Sequence, residues 1–99
     1  MYAVILRAQI NQIDDEYFEE INKLSQLARE QYHCVSFHAV RENGVEISIS
    51  YWNSLGDMQA WRHDLSHQLA KQTGVWKWYS SYQVEVTEIM RQYERSNLS

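Results

Sequence analysis

His63 and His67 stand four residues apart in the stretch AWRHDLSHQ, residues 60–68, with Asp64 directly after the first. The pattern is one methylene short of H-E-x-x-H, the helix signature in which two histidines bind zinc and a glutamate acts as base. Tetrahedral zinc needs a further protein ligand, and no histidine follows His67. An aspartate also reaches less far than a glutamate. Asp64 reads as the N-cap of a new helix, and such a break spoils the i, i+4 geometry the pair requires. No metal site is expected. His67 alone keeps two readings. It can take a proton from a substrate hydroxyl, because imidazole titrates near neutrality, or it can bond backbone at a helix junction.

Other side chains have similar pairs of readings. Trp61 can stack on a planar aromatic substrate, or fill the core at helical spacing with Leu55 and Met58. Arg7 can meet an anionic substrate group, or pair with Glu85 or Glu88. His38 projects from a strand face otherwise built of Val40, Ile47 and Ile49. It reads as a satisfied core histidine or as a pocket residue. Cys34 is the single cysteine and has no base with a supporting third group, which excludes nucleophilic catalysis as the expectation. Glycine-rich phosphate loops and nucleophile elbows are absent.

Composition narrows the class of partner. Ninety-nine residues with 44% apolar content make one soluble domain with one core. The net charge of -4, with nine Lys and Arg spread along the chain, argues against nucleic acid. A lone cysteine fits a reducing compartment. The N-terminal run lacks a basic leader region, and no apolar run reaches membrane-spanning length, so the expected location is the cytoplasm with no membrane partner. Four tryptophans and seven tyrosines suit ligand pockets or subunit interfaces.

The elements that must position these residues follow from periodicity. YAVILRAQI is a strand, apolar on both parities and so expected to be covered on both faces. Asp14 caps a helix whose stripe is Tyr17 or Phe18, Ile21, Leu24 and Ala28. Asn43-Gly44 suits a two-residue type I′ turn between two strands. It pairs Glu42 with Val45, Val40 with Ile47 and His38 with Ile49. One face then collects His38, Val40, Ile47, Ile49 and Tyr51, frankly apolar. The other, with Val35, Phe37, Ala39, Trp52 and interposed Ser48 and Ser50, reads as a pocket wall or interface. Ser54 begins a short helix, Asp64 a second, and VWKWYSSYQVEVTEIM is the last strand. Residues 1–92 form the domain and 93–99 a polar tail. The βαββαβ order predicts a ferredoxin-like α+β domain with helices on one face of an antiparallel sheet. The second face calls for another cover, and the sheet of a second copy is the economical one.

With this order, the chain resembles the antibiotic biosynthesis monooxygenase domain family, the small dimeric α+β barrels. The residues that carry the resemblance are Tyr51, Trp52, Ser54, Trp61, His67, Ala70, Gly74, Trp78, Tyr79 and Tyr82. The detailed match lies in the C-terminal half. It implies a homodimer and a pocket between sheet and helices. Several members oxygenate phenolic or quinol substrates without metal or flavin, so no cofactor is expected. Others degrade haem with a first-strand Asn, a helix Trp and a helix His. Here Trp61 holds the Trp position, but Arg7 and Lys71 stand at the other two, which argues against haem degradation. Asp57, one turn before Trp61, matches a polar residue that assists in the polyketide-type members.

On the oxygenase reading His67, Trp61 and Asp57 form the catalytic set. Tyr51, Trp52, His38, Arg7, Trp78 and Tyr82 contact a small phenolic or quinol-like substrate. The competing reading is a non-catalytic dimeric module that binds a small aromatic molecule or a partner. For Trp52, Trp78 and Tyr82, packing at the dimer interface is the plainer expectation.

Overall fold

The computed structural model describes residues 1–71 and 75–97, and of residues 66–71, 75 and 76 the backbone only. The elements run β1 (Tyr2–Ile10), α1 (Asp15–Gln31), β2 (Ser36–Glu42), β3 (Val45–Trp52), α2 (Leu55–Lys71), α3 (Val75–Trp78) and β4 (Tyr79–Glu88). The four strands form one antiparallel sheet in the order β2-β3-β1-β4. This is the ferredoxin-like α+β arrangement that the element order predicts.

The local signals act as their chemistry requires. Asp14 Oδ1 accepts the Tyr17 amide at 3.0 Å and caps α1. Asn43 and Gly44 have φ of 53° and 77°, the left-handed pair a type I′ turn needs. The resulting register pairs Glu42 with Val45, Val40 with Ile47 and His38 with Ile49. Ser54 Oγ accepts the Asp57 amide at 3.1 Å and starts α2.

Two boundaries differ from expectation. α2 is a single helix of 17 residues, with no break at Asp64. The Asp64 carboxylate turns away from the backbone and accepts the Tyr32 hydroxyl at 3.2 Å, so it caps nothing and the helix continues. The last strand begins at Tyr79, later than expected, because Val75–Trp78 form a helical turn. That turn is fastened to the β1–α1 loop. The Trp78 carbonyl accepts the Asn11 amide at 2.6 Å, and Lys77 Nζ lies 2.6 Å from Asp14 Oδ2.

Burial alternates sharply along β3: Glu46, Ser48, Ser50 and Trp52 are buried, and the residues between them only partly. The register places Ala8, Leu6, Val4 and Tyr2 of β1 beside those four. This is the helix-covered face. Its main core joins Val4 and Trp52 to Ala28 of α1 and to Met58, Trp61 and Leu65 of α2. Tyr17 rather than Phe18 supplies the aromatic of the α1 stripe, fully buried against Ala8, Trp78 and Tyr79. The opposite face carries Ile5, Ile47, Ile49 and Tyr51, all half-buried, with Val40 64% exposed. His38 is exposed on this face, so it is not the core histidine expected from its apolar neighbours.

Candidate functional site

Between the covered face of the sheet and helices α1 and α2 runs a crevice. Val4, Leu6, Ser48, Ser50 and Phe37 form its floor, Ile21 and Leu24 its α1 wall, and Trp61 and Leu65 its α2 wall. Alternation places the serines there: on β3, Ser48 and Ser50 share parity with buried Trp52. Counted out into open solvent, the crevice spans about 390 Å³. The walls stand close together, so a ring-sized ligand must part α1 from the sheet.

Trp61 dominates this space. Its ring lies tilted on Trp52, centroids 5.0 Å apart, and meets Phe37 edge-on at 6.2 Å. Its Nε1 is buried and, among the described residues, has no hydrogen-bond partner. The other two described tryptophans differ. Trp52 Nε1 donates to Ser50 Oγ at 2.9 Å, and Trp78 Nε1 to Asp14 Oδ1 at 3.1 Å. A buried donor left unmade costs about 1–3 kcal/mol, so an indole N–H held this way is a natural contact for a ligand oxygen.

The predicted site residues separate into groups. Trp61 lines the crevice. Trp52 packs behind it in the core, fully buried, and Trp78 belongs to the second core cluster with Tyr17 and Tyr79. Asp57 lies in the first turn of α2, 3.3 Å from His33 Nδ1, and not among the lining residues. Arg7, Tyr51 and His38 lie on the opposite face of the sheet. There Arg7 Nη1 meets Glu85 Oε1 at 3.4 Å in an exposed ion pair. Tyr82 pairs with Ala8 near the sheet edge and is 38% exposed. The side chain of His67 lies outside the described residues. The α2 backbone does run unbroken from His63 to His67, which removes the break that argued against a shared face. Among the described residues no three potential ligands converge on a metal position. Burial pushes the Cys34 thiol up, with its Sγ against the Ser36 and Tyr51 carbonyls, which keeps it a thiol rather than a nucleophilic thiolate.

Sequence reading missed a polar cluster at the end of the crevice. Glu46 is fully buried. Its carboxylate accepts the hydroxyls of Tyr17 and Tyr79 and pairs with Arg41 Nη2 at 3.0 Å. Arg41 Nε also donates to the Tyr17 hydroxyl at 2.8 Å, and its guanidinium lies over the Tyr17 ring at 4.9 Å. Burial raises the Glu46 carboxyl above its ordinary range, against the pull of the Tyr79 hydroxyl. Burial, and then the Glu46 carboxylate, push the Tyr79 phenol up as well, so it stays a donor. The available signal was the hairpin register: with Glu42 opposite Val45, Arg41 falls opposite Glu46, on the parity of the two serines.

No protein-family model matches the chain. It is 38% identical over 92 residues to the uncharacterized protein YqjZ of Bacillus subtilis, spanning 92% of this chain and 81% of that one. Among solved structures it superposes on SnoaB, a cofactor-independent oxygenase from Streptomyces nogalater, with TM-score 0.73 and 11% identity over 95% of this chain and 97% of that one. An antibiotic biosynthesis monooxygenase aligns with TM-score 0.57 and 13% identity over 92% and 100% of the two chains. A point mutant of MhuD, with two manganese protoporphyrin IX bound per active site, aligns with TM-score 0.63 and 15% identity over 96% and 100%.

Removing the carboxylate of Glu46 strands the Arg41 guanidinium and two tyrosine hydroxyls. Glu46→Ala is expected to lower the unfolding free energy by about 3 kcal/mol, toward the lower end of buried-pair losses because Arg41 keeps some solvent contact. Urea unfolding measures it, and a loss under about 1 kcal/mol contradicts a tie of this strength.

Proposed function

Because the chain belongs to the family of Bacillus subtilis YqjZ and has the fold of the antibiotic biosynthesis monooxygenases, we propose that it oxygenates a small phenolic or quinol-like compound in the crevice beside Trp61. The observation that carries this reading is the buried, unpartnered Trp61 Nε1 in an otherwise apolar cleft. A planar aromatic ring enters between Phe37, Leu24 and Trp61 when α1 parts from the sheet. Its oxygen accepts the indole N–H, and Ser48 and Ser50 offer further hydroxyls. Apolar walls keep water from an oxidised intermediate. An electron-rich substrate supplies its own reducing equivalents to oxygen, in keeping with the cofactor independence of SnoaB. The step also requires a proton acceptor, and His67 is the proposed one.

A second reading has its own support. No acid or base lines the crevice among the described residues, and Asp57 is turned toward His33. A non-catalytic small-ligand module of the same fold fits that lining equally well. Oxygen uptake with a panel of substituted hydroquinones separates the two. The enzyme reading predicts uptake that falls at least tenfold in Trp61→Phe, the loss expected when a hydrogen bond of about 1.4 kcal/mol or more is removed. Ligand binding with no uptake from any member of the panel favours the module.

The half-buried face with Ile5, Ile47, Ile49 and Tyr51 supports a homodimer, formed when the sheets of two copies cover each other. Light scattering at micromolar protein is expected to give twice the chain mass of 11.9 kDa. A monomer mass contradicts the dimer.

A further inference from the structure

The apolar, helix-facing side of the sheet runs out into solvent along one edge. Val86, Val84 and Tyr82 of β4 pair with Val4, Leu6 and Ala8 of β1. Directly opposed residues of an antiparallel pair point to the same face, so all three share the helix-covered side. Val4 and Ala8 are buried there, whereas Val84 and Val86 keep 37% and 41% of their surface exposed, and Tyr82 is exposed as well. Val84 belongs to both regions. It lines the crevice with Leu6, and among the described lining residues it alone is exposed.

The opposite side of the crevice is tied. A groove between α1 and β2 shares Ile21 and Phe37 with the crevice and also presents Asn22 and Ser25. Hydrogen bonds cross this seam toward both ends of α1. Arg29 Nη2 donates to the Phe37 carbonyl at 3.0 Å, and Arg41 Nε donates to the Tyr17 hydroxyl at 2.8 Å. Parting α1 from β2 breaks bonds whose donors are charged, which are the stronger kind.

Resting on the reading of the crevice as a ligand site, we propose that the ligand enters it across β4, with Val84 as the residue at its mouth. A ring arriving on the exposed Val84–Val86 strip passes over Leu6 and Val4 into the space that Trp61 lines. Those side chains are apolar along the whole path, which suits an uncharged aromatic molecule and disfavours an ionised one. The bulk at position 84 then governs how fast such a ligand enters and leaves.

The test places a bulky group at each side in turn. Val84→Cys and Asn22→Cys are made in the full chain and alkylated with a large maleimide. The natural Cys34 is buried with its thiol against two carbonyls, so the reagent takes the introduced thiol. Stopped-flow mixing with 1-naphthol, followed by the fluorescence of the naphthol, gives the association rate. The adduct at position 84 is expected to slow association at least about tenfold, and that at position 22 by less than about twofold. Val86→Cys, on the same strip, serves as the second variant should Val84→Cys fold poorly, and its adduct should also slow entry. The reverse pattern overturns the proposal and moves the entrance to the α1/β2 groove. Equal effects of the two adducts, or none from either, overturn it and leave the crevice reading standing. Failure of the unaltered protein to bind 1-naphthol overturns the crevice reading and the proposal with it.

Discussion

The structure turns on one buried carboxylate. Glu46 sits on the covered face of the sheet with no exposed surface, and an isolated charge there would be untenable. Its partners come from every side: Tyr17 from α1, Arg41 from β2 and Tyr79 from the start of β4. The requirement to satisfy it therefore fixes how α1 lies on the sheet and where β4 begins. Tyr79 reaches Glu46 only because α3 turns the chain just before it, and α3 is itself pinned through Trp78 and Lys77 to the cap residue of α1. Lys77, then burial working the other way, and then Trp78 set the Asp14 carboxyl below its ordinary value, so this fastening is fully charged at neutral pH.

With α1 held at that end, its middle spans the crevice. Ile21 and Leu24 face Trp61 across a gap too narrow for a ring, and the apolar side chains there make no hydrogen bonds that would lock it. Polar groups fill the Glu46 end, whereas the walls beside Trp61 are mostly apolar, with the Arg29–Phe37 and Tyr32–Asp64 hydrogen bonds tying the far end of α1 to β2 and α2. The contrast among the tryptophans follows. Trp52 and Trp78 find oxygen partners, and Trp61 stands where the nearby walls are leucine, phenylalanine and valine. Apolar walls with a buried donor among them are features that ligand sites share.

Much of this was legible in the residues. The Asp14 cap, the Asn43-Gly44 turn and the strand alternation each act locally, so the ferredoxin-like order and the hairpin register followed from short-range chemistry. What failed was long-range. Asp64 has the form of a helix cap, and only the Tyr32 hydroxyl, far off in sequence, shows why it is not one. Val75–Trp78 reads as strand until the β1–α1 loop binds its carbonyls. The hairpin face with Phe37, Trp52, Ser48 and Ser50 reads as a pocket wall or interface, and it is the face that the helices cover and the crevice uses; His38 alone, on the other face, misled as a core histidine. For the site, Trp61 was visible as a candidate. Glu46 was overlooked because a glutamate in an alternating strand resembles a solvent-facing residue until its opposite neighbour, Arg41, is considered with it.

A ligand site in this crevice requires that the Trp61 indole N–H find a ligand oxygen. The chain has four tryptophans, so an indole-labelled ¹H–¹⁵N spectrum should show four side-chain signals, with that of Trp61 identified by its loss in Trp61→Phe. Titration with 1-naphthol is predicted to move the Trp61 signal downfield, as a new hydrogen bond forms, and to leave those of Trp52 and Trp78 nearly in place. A Trp61 signal that stays fixed while the ligand saturates the protein would contradict the account.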